Sequence, residues 1–225
     1  MNYIYTSVLL FSIIFISTLN ASDVKYTSEI VPKNMTVAVK KDRFYSLLSP
    51  AIKKVHAELL TNYKNVKNDI KNNKNSKKIE ALKNNYKVKT NKELLAALKP
   101  HPQSIVLAQA AMESSWGTSR FFTKANNAFG IWSFNKNEPR IAAGEKRNGK
   151  KTIWLRKFNT IEESVRKYYR VMAVGRAYKE FRELRLKSDD VHKLVKKLDG
   201  YSEIGALYGK ELSSLIRYNK LTKYD

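Results

Sequence analysis

The sequence contains no cysteine. That excludes disulfides, thiolate metal sites, a cysteine nucleophile and a lipid anchor on an N-terminal cysteine, but not export. Histidine is nearly as scarce. His56, His101 and His192 are the only three, and they are scattered. No histidine-based metal site follows from them, and neither a metal nor an organic cofactor is expected. Carboxylates are few for the length: 20 Asp and Glu stand against 43 Lys and Arg, a net charge of +23 at pH 7. Hydrophobic residues make up 43% of the 225 residues. That suffices for the core of one domain with extensions, or of two small domains.

The positive excess is uneven. Residues 40–99 carry +11, residues 136–159 carry +6 and residues 160–225 carry +5. Such a field attracts polyanions. It also matches a general bias of the chain toward Lys, Asn, Ile and Tyr. The first 21 residues hold no charge, and Tyr3 to Leu19 is mostly apolar. With Ser17, Thr18, Asn20, Ala21 and Ser22 behind it, this run is similar to a secretory signal peptide cleaved near Ala21. No Lys or Arg precedes the run, so an uncleaved membrane anchor is the alternative. The run is short for the ~20 residues of a spanning helix. For an exported chain the attracted polyanions are envelope polymers and lipid headgroups rather than nucleic acid.

Most of the chain has helical periodicity. Ser22 to Lys41 has no clear period, and Val37-Ala-Val39 suggests extended chain. From Phe44 the apolar positions Leu47, Leu48, Ile52, Val55, Leu59, Leu60 and Tyr63 step by three and four, with Pro50 placed to kink or restart the helix. A second helix follows, with Ser76 as its cap. Thr90-Asn-Lys-Glu93 and Thr160-Ile-Glu-Glu163 are capping boxes, each opening a helix. His101, between Pro100 and Pro102, reads as a turn or cap residue. Asn148-Gly149 suits a hairpin turn joining strands over 140–147 and 150–158. Helices are then expected over 177–186, around Val191 to Leu198, and from Lys210 to about Lys220. The class is α+β, predominantly α, with one β-hairpin.

One stretch stands out. From Ile105 to Met112 every residue except Gln109 is apolar, as in a helix buried on nearly all sides. Pro102 fits its first position and Gly117 its stop. Glu113 closes the helix and is the only acidic residue between Lys99 and Lys136. A carboxyl at the end of a buried helix is poorly solvated, so its pKa rises. A carboxylic acid still protonated near neutral pH suits a general acid. The ordinary alternative is a solvated helix-end glutamate. Trp116, Phe129, Trp132 and Phe134 follow, either as core or as a sugar-binding face. Asn126-Asn127 suits a turn, and Gly130 lets backbone approach a ligand.

Ala-Gln-Ala-Ala-Met-Glu-Ser-Ser-Trp-Gly-Thr-Ser, followed by Asn-Asn-Ala-Phe-Gly-Ile-Trp, resembles the glucosaminidases of glycoside hydrolase family 73, which cut peptidoglycan. Within them it is most similar to the Bax-type proteins. The resemblance covers roughly residues 44–221. It implies a lysozyme-like domain over 90–225; the residues before that domain read as a signal peptide (1–21), an extended arm (22–43) and a basic helical extension (44–89). It implies peptidoglycan glycan strands as the partner, action in the periplasm or cell envelope, Glu113 as general acid and Tyr201 across the groove from it. Ser114, Trp116, Asn127, Phe129 and Trp132 are the candidate substrate-binding residues. Glu138, Glu145 and Glu203 are the candidates for a second carboxylate. A lytic transglycosylase and a non-catalytic envelope glycan-binding protein are the competing readings. The sequence sets no oligomeric state.

Overall fold

The computed structural model describes residues 26–144 and 152–225. The proposed signal peptide, the Asn148-Gly149 turn and Glu145 lie outside the described residues. Nine α-helices and a two-stranded sheet are described: α1 (Val37–Lys71), α2 (Ser76–Tyr86), α3 (Asn91–Leu98), α4 (Gln103–Glu113), α5 (Arg120–Ala125), β1 (Arg140–Ala142), β2 (Trp154–Arg156), α6 (Ile161–Val174), α7 (Lys179–Arg185), α8 (Val191–Leu194) and α9 (Ala206–Tyr218). The fold is predominantly α, as expected. Among the described residues no helix is long and apolar enough to cross a membrane.

α1 differs most from expectation. It starts at Val37 rather than Phe44, because the Thr36 hydroxyl accepts from Val39 N at 3.3 Å and caps it. It also runs through Pro50 without a break. An internal proline costs about 3 kcal/mol. Phe44, Leu48, Ala51, Ile52 and Val55 are buried on both sides of it, and each large side chain contributes about 1.5–3 kcal/mol, so packing wins. These residues join the main core with α4, α6 and α9. The far half of α1 forms a smaller core, where Val66 meets Ile79, Leu94 and Leu98. The first half of the helical extension is thus packed into the main core.

Arg43 ties the arm down. Fully buried, it donates to the carbonyl oxygens of Thr27, Ser28 and Ile30 in the arm, and to that of Gly117 at 2.7 Å. The Thr90–Glu93 capping box is complete. At Thr160 only half of one forms, since Glu163 Oε2 accepts from Asn159 N instead. The helix expected over 177–186 is a 3₁₀ turn, Arg176–Tyr178, running into α7. The last helix begins earlier than expected, at Ala206.

β1 and β2 pair antiparallel with Ile141 opposite Leu155. The strands are three residues each, shorter than expected. Residues 131–133 add to β2 through Arg156 N to Ile131 O (2.9 Å) and Ser133 N to Trp154 O (2.8 Å). The loop that follows α5 is therefore sewn to the hairpin.

Candidate active site

α4 is buried from Ser104 through Ala111 and ends on Glu113, as its apolar composition requires. Pro102 serves as the cap rather than the first helical residue. The chain then turns through three consecutive left-handed residues, Ser115 (φ 52°), Trp116 (φ 59°) and Gly117 (φ 73°). Only glycine adopts this region freely. The turn is held by Ser114, whose hydroxyl donates to Ala110 O at 2.5 Å and accepts from Gly117 N at 2.8 Å. At Gly117 an added Cβ would lie 3.3 Å from the Phe122 ring.

Glu113 is half-buried. Its Oε1 accepts from the Tyr208 hydroxyl at 3.0 Å. Its Oε2 faces Gly130, where an added Cβ would stand 3.8 Å away. Burial pushes the carboxyl above its usual range, and the Tyr208 hydrogen bond only partly opposes this. Among the described residues no Lys, Arg or His lies within salt-bridge distance of it, in a chain carrying 43 Lys and Arg. Tyr178, Tyr201 and Tyr208 surround the carboxyl, and burial, with the Glu113 carboxylate as a smaller contribution, raises the pKa of all three.

Tyr201 and Tyr208 stack with ring centroids 5.3 Å apart. Tyr201 is brought to the site, but its hydroxyl donates to Phe129 O at 3.4 Å. The hydroxyl on Glu113 belongs to Tyr208. Tyr208 in turn accepts from Gln109 Nε2 at 3.1 Å, one helical turn before Glu113 on the same face of α4.

Other expected residues take structural positions. Trp116 packs edge-on against Phe44 (5.3 Å) and Tyr45 (6.0 Å), under the Lys41 ammonium. The aromatic neighbours of Glu113 are tyrosines instead. Asn127 is buried with its amide committed: Nδ2 donates to Ile131 O and Arg156 O, both at 2.9 Å, and Oδ1 accepts from Ile131 N at 2.9 Å. It shapes the turn that carries Gly130. Phe129 is buried and stacks on Tyr168 at 4.2 Å. Trp132 and Phe134, by contrast, are 55% and 84% exposed with rings 6.0 Å apart. Glu138 pairs with Arg156 at 3.1 Å, and Glu203 is exposed. Among the described residues no cluster of three or more His, Asp or Glu is placed to hold a metal.

Sequence reading missed Gln109, Tyr208, Tyr178 and His101. Gln109 carried a signal: it is the one polar residue in the apolar run and stands four positions before Glu113. His101 lies in the connection between α3 and α4 and is fully buried.

The family described as mannosyl-glycoprotein endo-β-N-acetylglucosaminidase matches residues 88–221. The chain belongs to this glucosaminidase family. Its glucosaminidase region contains all the residues placed around Glu113. Protein bax of Escherichia coli (strain K12) is 32% identical over 125 residues, covering 53% of this chain and 43% of the bax chain. The chain thus matches less than half the length of that relative. The catalytic domain of the autolysin Auto from Listeria monocytogenes superposes with a TM-score of 0.52 at 19% identity, over 85% of this chain and 90% of that one. This chain shares that domain's fold, in agreement with the lysozyme-like class expected from sequence.

Proposed function

We propose that this chain hydrolyses a glycosidic bond in the glycan strands of peptidoglycan, as a β-N-acetylglucosaminidase with Glu113 as general acid. One observation carries the reading: Glu113 is half-buried, has no cationic partner among the described residues, and presents Oε2 beside a glycine. Cleavage needs a proton for the leaving oxygen and stabilisation of an oxocarbenium-like centre. A carboxyl raised by burial holds that proton near neutral pH. Gly130 leaves room for the sugar to approach it. The exposed Trp132 and Phe134 rings, on the loop sewn to the hairpin, supply apolar faces for a pyranose ring.

The second group in the reaction is Glu138, Glu145, Glu203 or the substrate's own acetamido oxygen. Product stereochemistry divides these. Inversion requires a second carboxylate acting as base, whereas retention fits a carboxylate nucleophile or the acetamido group. The site of action follows from the proposed substrate: peptidoglycan would place the enzyme in the cell envelope, and the proposed signal peptide would take it there. N-terminal sequencing of the envelope-fraction protein checks that step.

The experiment is digestion of purified sacculi by wild type and Glu113→Gln, with products identified by mass spectrometry. The expected result is a reducing N-acetylglucosamine end from wild type and none from the variant. Anhydro-muramic ends would replace this reading with a lytic transglycosylase. Retained digestion by Glu113→Gln would remove Glu113 from the acid role. Binding of sacculi without digestion by wild type would favour the non-catalytic reading.

A further inference from the structure

Behind Glu113 a line of buried polar groups crosses the core. Arg185 Nη1 lies 3.2 Å from His101 Nδ1, His101 Nε2 lies 2.7 Å from the Tyr168 hydroxyl, and Tyr168 bonds Gln109 Oε1. Gln109 Nε2 lies 3.1 Å from the Tyr208 hydroxyl, which lies 3.0 Å from Glu113 Oε1. Arg185, His101, Tyr168, Gln109 and Tyr208 are all buried. They come from α7, the α3–α4 connection, α6, α4 and α9.

The direction of every bond in this line is determined by its first member. A guanidinium only donates. His101 Nδ1 must therefore accept, which makes the ring neutral with its proton on Nε2. Nε2 then donates to Tyr168, whose own proton goes to Gln109 Oε1. The Gln109 amide is left to donate to Tyr208, and Tyr208 to Glu113. The opposite orientation of the amide would leave the Tyr168 proton without an acceptor. Arg185 has no carboxylate within 4.0 Å among the described residues, and its Nε has no partner. Its Nη2 donates to Ala96 O at 2.6 Å, and the hydrogen bonds that start at its Nη1 end on the Glu113 carboxyl.

We propose that Arg185, His101, Tyr168, Gln109 and Tyr208 are positioning residues, a one-way donor chain that ends on Glu113 Oε1 and thereby reserves Oε2, beside Gly130, for the transferable proton. This rests on the reading of Glu113 as general acid. With Oε1 occupied as an acceptor, the carboxyl is fixed in rotation and its proton stands on the oxygen that a substrate can reach. After transfer, the carboxylate left behind is stabilised by a donor whose polarisation is reinforced along the chain. Burial and the chain thus act on Glu113 in opposite senses, one favouring the protonated form and the other the ionised form. The other groups around the carboxyl are Tyr178 and Tyr201, both uncharged. Those around His101 are His56, Tyr169 and Phe181 besides Arg185.

The test is a carboxyl 13C NMR titration of Glu113 in the full-length protein, with a 15N spectrum of the His101 ring. Tyr208→Phe removes the last donor and is expected to raise the Glu113 midpoint by about one unit. Tyr168→Phe keeps its ring, does not touch Glu113, and is expected to raise it by a few tenths of a unit, on the order of the cooperative share of one bond. Wild-type His101 is expected as the Nε2–H tautomer across the titration. Where the enzyme digests sacculi, the alkaline limb of kcat moves upward by the same amounts while KM holds. An unmoved midpoint in either variant, or an Nδ1–H tautomer, overturns the chain. These readouts need no activity, so they judge the chain even if Glu113→Gln were to keep digesting sacculi, a result that would count only against the acid role.

Discussion

Gly209 sits in the first half of α9, next to Tyr208. By helix propensity, Gly209→Ala should stabilise the protein, since alanine is favoured by about 1 kcal/mol in a helix interior. The packing reverses that sign. A Cβ at this position would stand 2.6 Å from Val195 O, and 3.2 Å from both Val195 C and Lys196 Cα. All three are backbone atoms, which cannot swing aside as a side chain can. Carbon–oxygen contacts normally close at about 3.3–3.6 Å, so α9 must back away from residues 195–196 by roughly 0.7 Å. Overpacking of this kind costs typically 1–3 kcal/mol, and more against rigid backbone. The net expectation is a loss of about 1–2 kcal/mol. At roughly 2–4 °C per kcal/mol for a domain of this size, Tm falls by about 2–8 °C. Differential scanning calorimetry on the full chain measures it. The same displacement carries the Tyr208 hydroxyl away from Glu113, so sacculus digestion should fall with it. A Tm that rises would mean that propensity outweighs the contact, and that α9 is not held at this distance.

Three further outcomes follow. Glu113→Gln is expected to be more stable than wild type at neutral pH. The folded-state pKa of Glu113 is raised, so wild type loses stability as pH climbs above about 4.3, the unfolded value, through the folded value; the difference should vanish below that range in a series of urea melts. His101 works in the opposite sense: burial and Arg185 hold its pKa well below normal, so stability falls as pH drops below about 6.5 and the unfolded chain takes up the proton. A histidine-to-glutamine exchange at position 101 should flatten that limb of the melting profile. Asn127→Leu strands the backbone groups of Ile131 and Arg156 that its amide now satisfies, with an expected cost of about 2–4 kcal/mol by chemical denaturation.

Much of the skeleton was legible because burial on helices leaves a period. The apolar positions from Phe44 to Tyr63, the Thr90–Glu93 box and the run ending at Glu113 each predict their element from local rules. What escaped depended on neighbours distant in sequence. Val37 and Val39 look extended in isolation, and only the Thr36 cap and the packing of Phe44 make them helical. The Glu113 surroundings were sought in Trp116, one turn away, whereas the three left-handed residues turn that ring toward α1 and the space is filled by tyrosines from residues 178 to 208. Asn127 has the residue type of a ligand reader, but the turn to Gly130 uses both ends of its amide. His101 and Arg185 were unreadable as partners, since 84 residues separate them.

The Arg43 clamp bears on how this protein can be cut. The family match begins at residue 88, yet the cation at position 43 is held by the carbonyls of Thr27, Ser28 and Ile30 on one side and of Gly117, four residues past Glu113, on the other. A fragment started at the recognised boundary would expose the inner faces of α4 and α6 that α1 now covers. One started at Val37 would leave a buried guanidinium with a single acceptor. The smallest piece expected to stand alone is accordingly longer than the stretch of the family match, and expression fragments should open ahead of Thr27.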